Sequence, residues 1–317
     1  MAEPLYSLRG KRVYIAGQGG MAGRAIARRL ASTGCDLIDA PRAAVDLESQ
    51  SAVSDWFAAH RPQAVFLAAA KVGGISANDS LPVDFLDRNL RIAANVLAAA
   101  HATKVEKLLF LGSSCIYPRD AVQPMTEEAL LTGPLEPTNQ WYAIAKIAGI
   151  KLCEAYRQQY GDDFISVMPT NLYGPGDNYH PEHSHVPAAL IRRFHEAKGS
   201  GAPEVEVWGT GAPRREFLHV DDMADACVFA MERYSGAGML NIGTGSDVTI
   251  AAFARLVADV VGYSGELKFN ANRPDGTPRK LLDVSKLAAL GWRARIALRE
   301  GLASAYADFL KGGWREV

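Results

Sequence analysis

Short apolar runs alternate with longer stretches of helical character along the first half of the chain. Runs rich in β-branched and apolar residues at Arg12–Ala16, Asp36–Asp39, Ala64–Ala68, Lys107–Leu111 and Ile165–Pro169 predict strands. Between them, Ala22–Thr33, Gln50–His60, Val83–Thr103 and Trp141–Tyr160 predict helices. This order predicts an α/β protein built on a Rossmann-type, doubly wound parallel sheet, because a right-handed crossover between parallel strands needs about a dozen or more residues. After Asn171 the texture changes to loops rich in Gly, Pro and His, with elements such as Ala188–Ala197 and Ile250–Val261. Residues 1–170 are therefore expected to form the sheet domain and 171–317 mainly a smaller α/β lobe. Return segments are expected near 217–245, at Phe217–Met223 with a helix through Met231, and at Asn241–Gly245. No internal repeat or low-complexity tract interrupts the pattern.

Composition narrows the function classes. The 317 residues are 48% hydrophobic and 22% charged, the balance of an ordinary globular chain with room for a cleft between lobes. With 34 basic and 35 acidic residues the formal net charge is −1, so no global field favours nucleic acid or an anionic membrane, and any anion must be held locally. No stretch approaches the roughly 18 apolar residues of a spanning helix, and Met1–Lys11 lacks a signal-like apolar run, which predicts a cytoplasmic protein. Cys35, Cys115, Cys153 and Cys227 are widely spaced and keep no metal-ligand rhythm with the seven histidines. A reducing compartment and no metal site are expected.

Directly after the first strand stands Gly17-Gln18-Gly19-Gly20-Met21-Ala22-Gly23, opening a helix whose Ala22, Ile26 and Leu30 share one face. Gly17 permits the tight turn, Gly20 lets backbone approach a pyrophosphate, and Gly23 allows close packing of helix on strand. A dinucleotide is the expected ligand. At the end of the second strand Asp39 favours a ribose hydroxyl and Arg42 a 2′-phosphate. Of the two, Arg42 is expected to decide, which predicts NADP(H).

Lys107–Leu111 runs into Gly112-Ser113-Ser114-Cys115, which sets small hydroxyls and a thiol at the carboxyl end of a strand, where open α/β sheets bind ligands. Downstream, Tyr142 and Lys146 stand at i, i+4 and share a helix face. A nearby ammonium favours a phenolate, so Lys146 is expected to lower the Tyr142 pKa and let it exchange a proton with a carbonyl that Ser113 also holds. On its own such a Tyr–Lys pair is most often chance spacing. Joined to the glycine turn and the serine, in this order, it predicts hydride transfer between a nicotinamide and a carbonyl.

Longer stretches carry a resemblance: AAAKVGGI at Ala68–Ile75, LGSSCIYP at Leu111–Pro118, LEPTNQWYAIAKIAG at Leu135–Gly149, VMPTNLYG at Val167–Gly174, RRFHEA at Arg192–Ala197, REFLHVDD at Arg215–Asp222 and PDGTPRKLLDV at Pro274–Val284. Over nearly its whole length the chain resembles the GDP-L-fucose synthase family, the GDP-4-keto-6-deoxy-D-mannose 3,5-epimerase/4-reductases among the extended short-chain dehydrogenase/reductases. The resemblance implies reduction by Ser113, Tyr142 and Lys146 and two epimerisations by Cys115 and His185. It also implies a cofactor site that adds Leu111, Gly112, Ser113, Ser114, Lys146, Pro169, Thr170, Asn171, Leu172 and His185 to the glycine turn and Arg42. Arg193, Trp208, Arg215 and Lys280 are implied to hold the GDP-sugar. Guanidinium groups suit a diphosphate and an indole offers a stacking face. One departure is Gly19, where many relatives carry a basic residue, which leaves more of the NADP preference to Arg42. A homodimer through a four-helix interface of Val83–Thr103 and Trp141–Tyr160 is expected by analogy.

Residue by residue the bland alternatives are a buried core thiol for Cys115 and a capped loop residue for His185. A 4,6-dehydratase needs an acid pair where Ser114 and Cys115 stand. A 4-epimerase would consume no NADPH. A cofactor-binding sensor without catalysis is opposed by the intact Ser113, Tyr142 and Lys146.

Overall fold

The structure, a computed structural model, describes residues 4–38, 40, 43–181, 184–272 and 275–312. Its first half builds β1 (Arg12–Ala16), α1 (Met21–Leu30), β2 (Asp36–Ile38), α2 (Gln50–His60), β3 (Ala64–Leu67), α3 (Ile75–Ser80), α4 (Asn89–Ala102), β4 (Lys107–Leu111), α5 (Gln140–Tyr160) and β5 (Phe164–Pro169). The second half adds β6 (Asn171–Tyr173), α6 (Val186–Ser200), β7 (Glu204–Trp208), β8 (Arg214–Arg215), β9 (Phe217–His219), α7 (Val220–Arg233) and β10 (Leu240–Ile242). It ends with β11 (Val248–Thr249), α8 (Ile250–Val261), β12 (Glu266–Asn270), β13 (Arg279–Lys280), α9 (Ser285–Ala289) and α10 (Leu298–Leu310).

Six parallel strands form the main sheet in the order β10-β5-β4-β3-β1-β2. The order reverses between β1 and β3, and such a switch point opens a crevice beyond the carboxyl ends of the strands. Both faces of the sheet are covered. Val53, Phe57, Val96, Leu97 and Ile150 of α2, α4 and α5 bury one face, while Ile26, Leu30, Met223, Cys227 and Met231 of α1 and α7 bury the other. A third core, with Phe194, Phe253, Val257 and Leu302, joins α6, α8 and α10 in the smaller lobe.

The chain re-enters the first unit more than once. β10 closes one edge of the main sheet beside β5, and Leu282, Leu287 and Trp292 also pack into its two cores. That last return falls in a stretch whose sequence pattern predicts the smaller lobe. The helix expected over Val83–Thr103 is also divided: a single π-turn at Asp84–Arg88 precedes α4. Asn89 at this junction is buried and clamps the loop after β3, its Oδ1 accepting from Lys71 N at 2.7 Å and its Nδ2 donating to Lys71 O at 3.0 Å and Phe85 O at 2.7 Å. No helix among the described residues is long and apolar enough to cross a membrane.

Candidate active site

The glycine turn sits at the switch point. Gly17 has φ +93°, and a Cβ there would lie 2.7 Å from the backbone N and Cα of Ala69 beyond β3, so only glycine lets the two loops meet. A Cβ on Gly23 would collide with the Gly17 carbonyl. α1 begins at an extended Gly20 without a side-chain cap and carries no acid in its first turn, leaving the positive end of the helix open to an anion. The Gln18 Oε1 is buried and lacks a hydrogen-bond partner. Glycines a Cβ would displace, an uncapped helix start and an unmatched polar atom together fit a dinucleotide pyrophosphate. Asp39 and Arg42, expected to choose between its ribose forms, lie outside the described residues.

At the end of β4 the chain turns sharply. Gly112 packs against Met168, where a Cβ would clash, and a short turn at Ser114–Ile116 is capped by Ser113, whose Oγ accepts from Cys115 N at 3.5 Å. α5 carries Tyr142 and Lys146 toward this turn. Lys146 is buried, donates to the Leu111 carbonyl at 2.8 Å, and its Nζ lies 5.7 Å from the centre of the Tyr142 ring. A cavity of about 100 Å³ is lined by Ser113, Tyr142 and His185 with Val72, Gly73, Asn78 and Phe85.

Electrostatics differ from the expectation drawn from spacing. Enclosure pushes the Tyr142 phenol well above its ordinary value, helped by the Cys115 sulfur and opposed by the Ser113 hydroxyl. Lys146 does not hold it down; burial instead lowers Lys146 itself to about 8. The expected phenolate is therefore replaced by a phenol, which suits proton donation to a carbonyl oxygen. Burial also raises the Cys115 thiol, against the pull of Ser113, Lys280 and Lys146. His185 lines the cavity while remaining exposed at the start of α6, and the surrounding protein lowers its imidazole.

A ledge of cations stands in the smaller lobe. Arg215 and Lys280 are register partners on the parallel strands β8 and β13, and burial lowers both. The Arg193 guanidinium lies 5.1 Å over the Trp208 ring, so the indole face expected to stack a base already carries a cation on one side. Glu216, next to Arg215, is wholly buried. Its carboxylate accepts from Thr244 N at 2.6 Å, Gly245 N at 2.7 Å and Leu282 N at 3.0 Å. Its main chain donates to Lys280 O and accepts from Asn171 Nδ2 at 2.8 Å and Thr170 Oγ1 at 3.3 Å.

Residues 13–243 match the NAD dependent epimerase/dehydratase family. This chain belongs to that family. Over 301 residues it is 58% identical to GDP-L-fucose synthase 1 of Arabidopsis thaliana, with 95% of this chain and 93% of the relative covered. Over 311 residues it is 56% identical to the GDP-L-fucose synthase of Escherichia coli (strain K12), covering 95% and 97%. Among solved structures, a GDP-L-fucose synthetase from Naegleria fowleri bound to NADP superposes with a TM-score of 0.90 at 25% identity, covering 98% of this chain and 97% of that one. A GDP-6-OMe-4-keto-L-xylo-heptose reductase from C. jejuni gives 0.89 at 37% identity, covering 95% and 98%.

In this epimerase/dehydratase frame the expected site residues fall into neighbouring groups. Gly17–Gly23, Leu111–Ser114 and Pro169–Leu172 follow the carboxyl ends of β1, β4 and β5, and Ser113, Tyr142 and His185 share the cavity. The charge of Lys280 bears on the Cys115 thiol as well as on Arg215. Two residues near the chemistry were missed. Glu216 lies inside the quoted REFLHVDD stretch, where an acid leading directly into the apolar Phe217-Leu218 was the available signal; Asn78 stood in an unremarkable ISANDS segment.

Proposed function

We propose that this protein converts GDP-4-keto-6-deoxy-D-mannose to GDP-L-fucose, inverting C3 and C5 and reducing C4 with NADPH. The observation that carries the proposal is one small cavity lined by Ser113, Tyr142 and His185 at the carboxyl end of β4, with Lys146 buried behind Tyr142. The full-length similarity to GDP-L-fucose synthases supports the choice of sugar.

The glycine turn and Pro169–Leu172 would hold a nicotinamide dinucleotide, which would supply the hydride. The chain does the rest. Ser113 and Tyr142 hydrogen-bond the C4 oxygen, so that when a proton leaves C3 or C5 the electrons of that C–H bond pass into an enolate held on this oxygen. Cys115 as thiolate removes the proton, and His185 returns one from the opposite face. Lys280 and Lys146 favour the thiolate against the burial that opposes it. In the reduction the Tyr142 phenol gives its proton to O4 as hydride reaches C4. Arg193 and Arg215 suit the diphosphate. A homodimer through α4 and α5 belongs to the same reading, supported by the exposed Val83 ahead of the π-turn that leads into α4 and by the exposed Trp141, Ile144 and Tyr160 of α5. So does a cytoplasmic setting, for which the four free thiols are the support.

The test follows reduced-nicotinamide absorbance with the keto sugar, NADPH beside NADH, and identifies the product. One NADPH lost per GDP-L-fucose formed supports the proposal. No NADPH loss, with the sugar unchanged or only epimerised, refutes it.

A further inference from the structure

Asn78 on α3 is 5% exposed and lines the cavity that holds Ser113, Tyr142 and His185. Both hydrogens of its amide are committed, Nδ2 donating to the carbonyls of Gly73 at 2.8 Å and Gly74 at 3.0 Å. A flipped amide would set oxygen against those two carbonyl oxygens, so the orientation is settled. Oδ1 is left buried without a hydrogen-bond partner. A buried acceptor in that state is unfavourable, and a reactive cavity is where such an atom finds its donor in the ligand. The frame around it is stiff: Asn89 clamps Lys71, and a Cβ on Gly73 would come within 3.2 Å of the Phe85 ring.

We infer that the Oδ1 of Asn78 accepts a hydrogen bond from the C3 hydroxyl of the keto sugar, making Asn78 a specificity-determining residue of this site. The inference rests on the function proposed above. With the ketone oxygen on Ser113 and Tyr142, the groups brought against the other residues of this cavity are the substituents on the adjoining carbons. Of these, C5 of the 6-deoxy sugar bears a methyl group and C3 bears the hydroxyl. Val72 and Phe85 supply apolar wall, whereas Asn78 presents the unmatched acceptor.

NADPH oxidation by the wild type and by Asn78→Ala, with the native keto sugar and with its 3-deoxy and 2-deoxy analogues, tests this. Loss of the 3-hydroxyl is expected to lower wild-type kcat/KM by about 10- to 100-fold, as for a site left with an unpaired polar group. Asn78→Ala should show a similar loss on the native sugar and no further loss on the 3-deoxy analogue, with its NADPH KM near that of the wild type and its melting temperature lowered because the bonds to the Gly73 and Gly74 carbonyls go with the amide. Equal losses on the native and 3-deoxy sugars, or coupling to the 2-hydroxyl instead, would overturn the assignment while leaving the proposed function intact. A wild type inert towards the native sugar overturns the function and this inference together.

Discussion

Glu216 offers the sharpest test of how the smaller lobe is tied to the sheet. Its carboxylate is wholly buried, has no cation in hydrogen-bond reach among the described residues, and accepts from three backbone N–H groups in the segments after β10 and β13 and from the Thr244 hydroxyl. Burial raises its pKa even so, because the donors recover only part of the lost hydration. Glu216→Ala strands all three donors where water cannot follow. At about 1–3 kcal/mol for each unmatched buried group, the loss should reach about 4 kcal/mol or more. Glu216→Gln keeps an acceptor for Thr244 and Gly245 but turns an NH2 against Leu282 N, a loss of about 2 kcal/mol. Unfolding entropy for 317 residues is about 0.7 kcal/mol per kelvin, so melting should fall by about 6 °C and 3 °C respectively. Because Glu216 N bonds to the Lys280 carbonyl and Arg215 is its neighbour, KM for the GDP-sugar should rise in both variants while kcat falls less. Thermal unfolding and steady-state kinetics decide it. A Glu216→Ala protein melting within about 1 °C of the wild type would refute the idea that this carboxylate joins the two units.

Two further predictions separate the half-reactions. Tyr142→Phe should abolish NADPH oxidation while exchange of the C3 and C5 protons in deuterated water persists, and Cys115→Ser should do the reverse, yielding an unepimerised 4-reduced sugar; product analysis finding GDP-L-fucose from Cys115→Ser would remove the thiol from the mechanism. The pH profiles should diverge. Lys146, held at about 8 by burial, is an ammonium below that pH and loses its charge above it, so reduction should decline as pH rises through about 8. Cys115 titrates above its ordinary value, so its thiolate fraction, and with it proton exchange, should climb across the same range. Superimposable profiles for exchange and reduction would contradict these assignments.

Local pattern carried the sheet domain a long way. β1, α2 and β4 keep the bounds their patterns predict, because each is bounded by residues that break its periodicity. Tyr142 and Lys146 share a face of α5 as their spacing requires, yet spacing could not show that Lys146 would turn to the Leu111 carbonyl or that enclosure would outweigh its charge. Cys115 and His185 were legible only through resemblance, since a small buried thiol and a loop histidine have commonplace structural explanations. The residues sequence reasoning missed share a physical reason. Glu216 acts by accepting from amides 28 to 66 residues away, and Asn78 by an oxygen left over once two local carbonyls have oriented its amide. A residue's type and its face on a helix are written in the neighbouring residues. Which remote N–H groups, or which vacancy, an acceptor oxygen will meet is settled only by the packing of distant segments. Catalytic acids and cations therefore announce themselves by type, whereas the acceptors that fix their geometry emerge only with the fold.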